Sequence, residues 1–307
     1  MSEQTAPLAA RRRLIGPRLR AVGSFAAEFA ESPTALAAAL VFLVIVLAAV
    51  FAPLIAPQDP YDLAKLSILD ARLPPGSQAM SGNTHLLGTD GLGRDLFSAI
   101  LYGLRISLMV GATSALVALA IGMVLGLTAA YVGGRVDAAI MRIVDLQMSF
   151  PAILIALILL AILGRGADKT MIALIAVQWA YYARTVRASA LVEREREYIE
   201  AAHGLRLGHV RIVMRHLLPN CIAPLLVVVT VQMAHAITLE ATLSFLGVGL
   251  PETQPSLGLL IANGFQYMLG GSYWISIYPG IALLIVMVAI NLMGDRLRDQ
   301  LNPALKR

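Results

Sequence analysis

Six stretches of this chain are too apolar for water, and they alternate with short charged segments. Residues 35–56 run without a single charge and are closed by Pro53 and Pro57. At 1.5 Å per residue such a helix crosses the roughly 30 Å of a bilayer's hydrocarbon. The same pattern predicts spans over about 106–131, 147–164, 170–188, 219–245 and 274–293. In the fourth only 14 residues separate Lys169 from Arg184. It must run on through Arg184 and Arg187, whose long side chains can snorkel to headgroups. Residues 57–105 form the longest polar stretch, broken by Pro60, Pro74, Pro75, Gly76 and Gly82, and read as an external loop without a core of its own. The expected fold class is an all-α polytopic membrane protein of about six transmembrane helices. Its membrane domain covers 35–295, between a tail at 1–34, with an interfacial helix near 25–29, and a tail at 296–307.

Composition agrees with that pattern. Of 307 residues, 58% are hydrophobic and 14% charged, and the mean hydropathy is +0.75, which excludes a pair of soluble domains. The net charge of +5 matters less than its placement. Arginines gather at span ends, where lipid is the partner, and not along one nucleic-acid-sized face. Eighteen of the 24 basic residues fall in the tails, after span two and between Arg184 and Arg215. That asymmetry predicts that both termini and the 189–218 loop are cytoplasmic. The first span is longer than a signal-peptide core and reads as an uncleaved anchor. The single cysteine, Cys221, allows no intrachain disulfide and reads as a packing residue.

Candidate chemistry is sparse. His203, His209 and His216 lack acids or cysteines at metal-ligand spacing, and no Ser/His/Asp arrangement stands out, so neither a metal site nor a catalytic site is expected. Glu240 is an ionisable residue inside an apolar run, a functional candidate by its cost alone. With Gln178, Gln232 and His235 it makes up the candidate pathway or gating set, although Gln178 with Trp179, Tyr181 and Tyr182 reads more readily as an aromatic interface belt than as a path lining. Gly122 and Gly126 make a small-xxx-small face, and Arg142 and Asp145 lie three apart for pairing on one helix.

The polar island at 198–220 has the densest helical signal outside the spans. Ile199, Ala202 and Leu205, then Val210, Val213 and Leu217, recur at three and four residues, which predicts two short helices, each with an apolar face, around a glycine turn. Such a hairpin suits a partner's groove.

Glu200-Ala201-Ala202 followed by Leu218-Pro219 resembles the EAA loop of ABC-importer permeases, the cytoplasmic element that docks onto the ATP-hydrolysing subunit. Arg206 stands where that pattern usually has glycine, with Gly204 and Gly208 on either side, so a turn shifted by two residues is expected. Residues 87–95, Leu-Gly-Thr-Asp-Gly-Leu-Gly-Arg-Asp, lack the Gly-Lys-Ser/Thr ending of a phosphate loop and resemble the LGTDxLGRD signature of the peptide-type permeases. There Asp90, Arg94 and Asp95 are expected to pair and to cap the following helix. Residues 240–249 and 294–303 resemble two further motifs of the same group, the second with Asn302 where aspartate is common.

The resemblance implies a type I ABC-importer fold in the bacterial inner membrane and a non-catalytic subunit forming half of a path for di- or oligopeptides or a related small solute. It further implies a second permease, two cytoplasmic ATP-binding subunits carrying ATP and Mg, and an extracytoplasmic binding protein, with no cofactor on this chain. The rival classes are a secondary transporter or channel, which needs coupled intramembrane charges or an inverted repeat, and a scaffold without a path.

Overall fold

The computed structural model describes residues 29, 32–62, 66–79, 82 and 84–301. The interfacial helix expected near 25–29 lies almost wholly outside them, as does the end of the tail, residues 302–307.

Helix α1 covers Pro33–Val50, with the Ser32 hydroxyl accepting from Ala35 N at 3.4 Å and proline in the first turn, where a missing N–H costs nothing. Phe51 interrupts it, and α2 adds one turn at Ala52–Ile55. The polar segment that follows is pinned by a two-residue hairpin, β1 at Ser77–Gln78 against β2 at Thr84–His85.

Helix α3 spans Leu96–Val132, ten residues earlier than expected. Arg105 marked the span boundary in the sequence, but it is an exposed exception on a helix whose other side is buried. Leu96, Ala99, Ile100 and Leu104 pack with Leu257, Leu260, Trp274 and Ile275, so the helix runs on beyond the apolar span. Further along, a Cβ at Gly122 would lie 2.5 Å from the Tyr182 Cβ, and one at Gly126 would lie 2.5 Å from the Ala183 carbonyl. The small face therefore sets how closely α3 meets its main neighbour, α6.

The third span is not a single rod. Helix α4, Gly134–Met148, and helix α5, Ala152–Leu163, meet at 89° around Pro151. Alone, the twelve residues of α5 reach only about 18 Å. Helix α4 climbs beside α6, Ala167–Arg194. Asp137 takes a two-pronged bond from Arg187, with Nη2–Oδ2 at 2.6 Å; Asp145 pairs with Arg184; and the Gln147 amide donates to the carbonyls of Ala176 and Val177. Asp145 thus bonds across helices and not to Arg142 on its own helix. Arg184 and Arg187 find carboxylates where the sequence suggested lipid headgroups, because α4 carries acids along the face it turns to α6.

Helices α7 (Glu197–Gly204) and α8 (His209–Ile212) form the hairpin; a π turn, Val213–Leu217, leads into α9, Leu218–Phe245. From His209 to Phe245 the apolar rod is 37 residues long. Pro219 explains the π turn. It has no N–H for the Arg215 carbonyl four residues back, and Asn220 Nδ2 bonds the next carbonyl, His216 O, at 2.8 Å. Helix α10, Leu257–Phe265, is short and buried at its start, and α11 runs from Trp274 to Leu301, eight residues past the expected end.

The molecule is an all-α polytopic membrane protein. Among the described residues four helices are long and apolar enough to cross a bilayer, or five if α4 and α5 make one broken span. Helix α6 has the length but not the hydropathy.

Candidate functional site

The hairpin is built so that one face is fastened and the other is bare. Ile199, Ala202 and Ile212 are buried together with Tyr131 and Leu207. Outward stand Glu200, Ala201 and Arg206, with Leu205 and Val210 exposed to 75% and 77%. Two bulky apolar side chains bared among charges on one hairpin mark a contact surface. Glu197 and Glu200 occupy the first turn of α7, where carboxylates suit the positive end of the helix dipole.

The turn keeps its register. Arg206 has φ +52°, the left-handed conformation, while Gly208 has φ −61° and Gly204 is helical. The shift expected from the flanking glycines does not occur, because α7 ends with Leu205 N on Ala201 O and Arg206 N on His203 O, which places the left-handed step at 206. An arginine there carries a steric cost that glycine lacks. Arg206→Gly should therefore stabilise the protein by about 0.5–1 kcal/mol, a rise of roughly 2 °C in thermal midpoint, read on the purified protein by scanning fluorimetry.

Three long helices hold the hairpin from behind. On α3, the Tyr131 hydroxyl and His209 Nδ1 share a 2.6 Å hydrogen bond, and the Tyr131 ring stacks on His203 at 6.2 Å. Arg194 of α6 caps α3 through Nη1 on the Ala130 carbonyl at 2.7 Å. On α7, the Tyr198 hydroxyl donates to Glu193 Oε2 at 2.7 Å and accepts from Asn220 Nδ2 of α9 at 2.9 Å. Burial and that bond to Glu193 push the Tyr198 phenol up. Leu218 and Pro219 open α9 just beyond. The links of Tyr131 are not readable from spacing, since it lies 72 and 78 residues from His203 and His209; the one available signal is an aromatic residue beside the Gly133-Gly134 break.

At the opposite end, residues 85–98 form a buried polar knot. Asp90 Oδ1 accepts from the backbone N–H of Leu92 and of Arg94, both at 2.9 Å, and Oδ2 takes Arg94 Nε at 2.6 Å. Arg94 is fully buried and sends Nη1 across to the Glu252 carbonyl at 3.1 Å. Asp95 caps α3 through Ser98 N at 2.8 Å and pairs with His85 Nδ1 at 2.9 Å. Gly88 and Gly93, at φ +79° and +78°, sit where a Cβ would strike the carbonyls of Leu73 and Ser67. These glycines serve close packing of the loop, and the signature is a clasp joining the loop to α3 and to the segment before α10.

Of the four pathway candidates only His235 reaches the surface. Gln178 and Gln232 are buried, the Gln178 amide donating to the Gln232 carbonyl at 3.4 Å. Glu240 is wholly buried and accepts from the hydroxyls of Ser107 and Ser244, both at 2.8 Å. Its polarity is satisfied inside the subunit, where it ties α9 to α3. Among the described residues no three metal-ligating side chains converge.

The family model described as binding-protein-dependent transport system inner membrane component matches residues 122–307. This chain belongs to that family. The permease also matches the N-terminal TM domain of oligopeptide transport permease C over residues 23–75. It is 40% identical over 269 residues to the dipeptide transport system permease protein DppC of Escherichia coli, covering 87% of this chain and 88% of that one. Against the di/tripeptide transport system permease protein DppC of Pseudomonas aeruginosa it is 39% identical over 280 residues, 91% of each. Among solved structures, an inward-facing MetNI methionine ABC transporter matches with a TM-score of 0.54 at 21% identity, over 66% of this permease and 96% of that chain, a likeness of fold. The permease is thus a multi-pass subunit of a transport complex in the bacterial inner membrane.

Proposed function

We propose that this permease forms half of the path by which an ATP-driven importer takes up di- or oligopeptides, and that the 198–220 hairpin is where the driving subunits engage. The bared face of the hairpin carries this reading: Glu200, Leu205 and Val210 present a contact surface, while Tyr131 and Tyr198 tie its back to α3, α6 and α9. A push on the hairpin then moves three long helices together, the kind of rigid-body rocking that alternates access. The partners are a second permease, two cytoplasmic ATP-binding subunits that supply ATP and Mg, and an extracytoplasmic binding protein; the termini lie in the cytoplasm and this chain holds no cofactor. The substrate class follows from the relatives named for di- and tripeptides. Glu200, Ala201, Ala202, Gly204, Arg206, Gly208, Leu218 and Pro219 form the docking element, and His235 belongs to the path.

Uptake decides between this reading and a self-sufficient carrier. In vesicles containing the assembled complex, entry of a labelled dipeptide should require both ATP and the binding protein. Uptake driven by a proton gradient in ATP-free vesicles would establish the secondary transporter instead.

A further inference from the structure

One face of α9 breaks the apolar surface of the long helices. Asn220, Pro224, Val231, His235 and Thr238 are exposed at spacings of three, four and seven, which places them on a single side. At the hairpin end this side opens into a cleft of about 570 Å³ between α6, α9 and α11, lined by Ser189, Glu193, Asn220, Pro224, Val227 and Arg298 among others. The cleft has an apolar floor, from Pro224 and Val227, and walls of opposite charge. Arg298 is exposed and enters none of the ion pairs among the described residues. Glu193 leans on the neutral Tyr198 hydroxyl and approaches the exposed Arg196 only to 3.8 Å.

We propose that this cleft is the exit vestibule of the path and receives a zwitterionic solute, with its ammonium end toward Glu193 and its carboxylate end toward Arg298. The class of solute rests on the peptide reading above; the place of the vestibule rests on the exposed face of α9. An apolar floor between two fixed charges suits a small molecule with charged ends and a variable middle. The cleft is also wired to the hairpin, because Tyr198 of α7 bonds both Glu193 and Asn220. Movement of α7 therefore carries one charged wall and one polar wall with it, so that engagement of the hairpin reshapes the place from which solute leaves.

Thiol labelling of the assembled complex tests this. In a Cys221→Ser background, a cysteine at Val227, and separately one at Ala223, is exposed to anionic and cationic methanethiosulfonates of similar size. Both positions should react in the nucleotide-free complex, and millimolar dipeptide should slow them. Arg298→Gln should lower the anionic-to-cationic rate ratio several-fold and Glu193→Gln should raise it, the size expected for one unit charge at short range near water. Two unreactive positions in the complex would mean that a partner protein fills the cleft, and a ratio unmoved by either substitution would mean that the charges face no solute; each result overturns the proposal. The labelling does not depend on coupling, so it can fail while hairpin docking holds, and the reverse.

Discussion

Glu200→Ala is expected to leave the complex assembled and to cut peptide uptake by about 30-fold or more. Glu200 is exposed in the free permease, in the first turn of α7 and on the bared face of the hairpin. It makes none of the contacts that hold α7 against Tyr131 and Leu207, and those fall to Ile199 and Ala202. The substitution therefore spares the fold, and alanine suits a helix better than glutamate. On the docking proposed above, what it removes is a charge that becomes desolvated when a partner closes over the hairpin. Such a central contact commonly contributes about 2 kcal/mol, on the order of 30-fold in the docked population. The measurement pairs binding-protein-stimulated ATP hydrolysis with uptake in proteoliposomes. Stimulated hydrolysis that persists without uptake marks uncoupling, whereas an assembled Glu200→Ala complex that transports at the parent rate would show that force enters elsewhere.

Arg94→Ala should be the most destabilising single change, costing about 3–5 kcal/mol. The guanidinium is fully buried, and its loss strands Asp90, which keeps two backbone donors but no counter-charge. The loss also frees the Glu252 carbonyl, so the tie between the loop and the segment before α10 goes with it. For a chain of this size the thermal midpoint should fall by roughly 10 °C. Lysine should rescue little, because one ammonium cannot reproduce a fork that donates from Nε to a carboxylate and from Nη1 to a carbonyl. The double substitution Asp90→Asn with Arg94→Met should be milder than Arg94→Ala alone, since it leaves no lone charge buried. A midpoint for Arg94→Ala within a degree of the parent would show that the clasp does not hold the loop.

Both substitutions fall in motifs visible in the chain, yet the two sites differ in how much of their geometry could be read there. The spacing of Asp90, Arg94 and Asp95 is short, so the pairing of Arg94 with Asp90 and the capping of α3 by Asp95 are local events that sequence can anticipate. The His85–Asp95 pair and the reach of Arg94 to Glu252 are not, because they depend on how the loop folds on itself and against the segment before α10. Likewise the periodicity of Ile199, Ala202 and Leu205 marks an amphipathic helix but misassigns Leu205, which is mostly exposed. Which of two neighbouring apolar positions turns inward is settled by the packing of α7 against Tyr131.

By itself the sequence determined that this is a helical membrane protein and that a charged segment with helical periodicity interrupts its apolar stretches, because hydropathy and short-range spacing act within a few residues and need no partner. Only the tertiary structure decided the rest. It began α3 at Leu96, ahead of Arg105, broke the third span at Pro151, and gave Arg184 and Arg187 carboxylate partners. It buried Gln178, Gln232 and Glu240 while leaving His235 bare, and it fastened the hairpin through Tyr131. Each of these outcomes depends on which helix faces which, and a buried polar group takes whatever partner the neighbouring helix presents, at a sequence separation that no periodicity records.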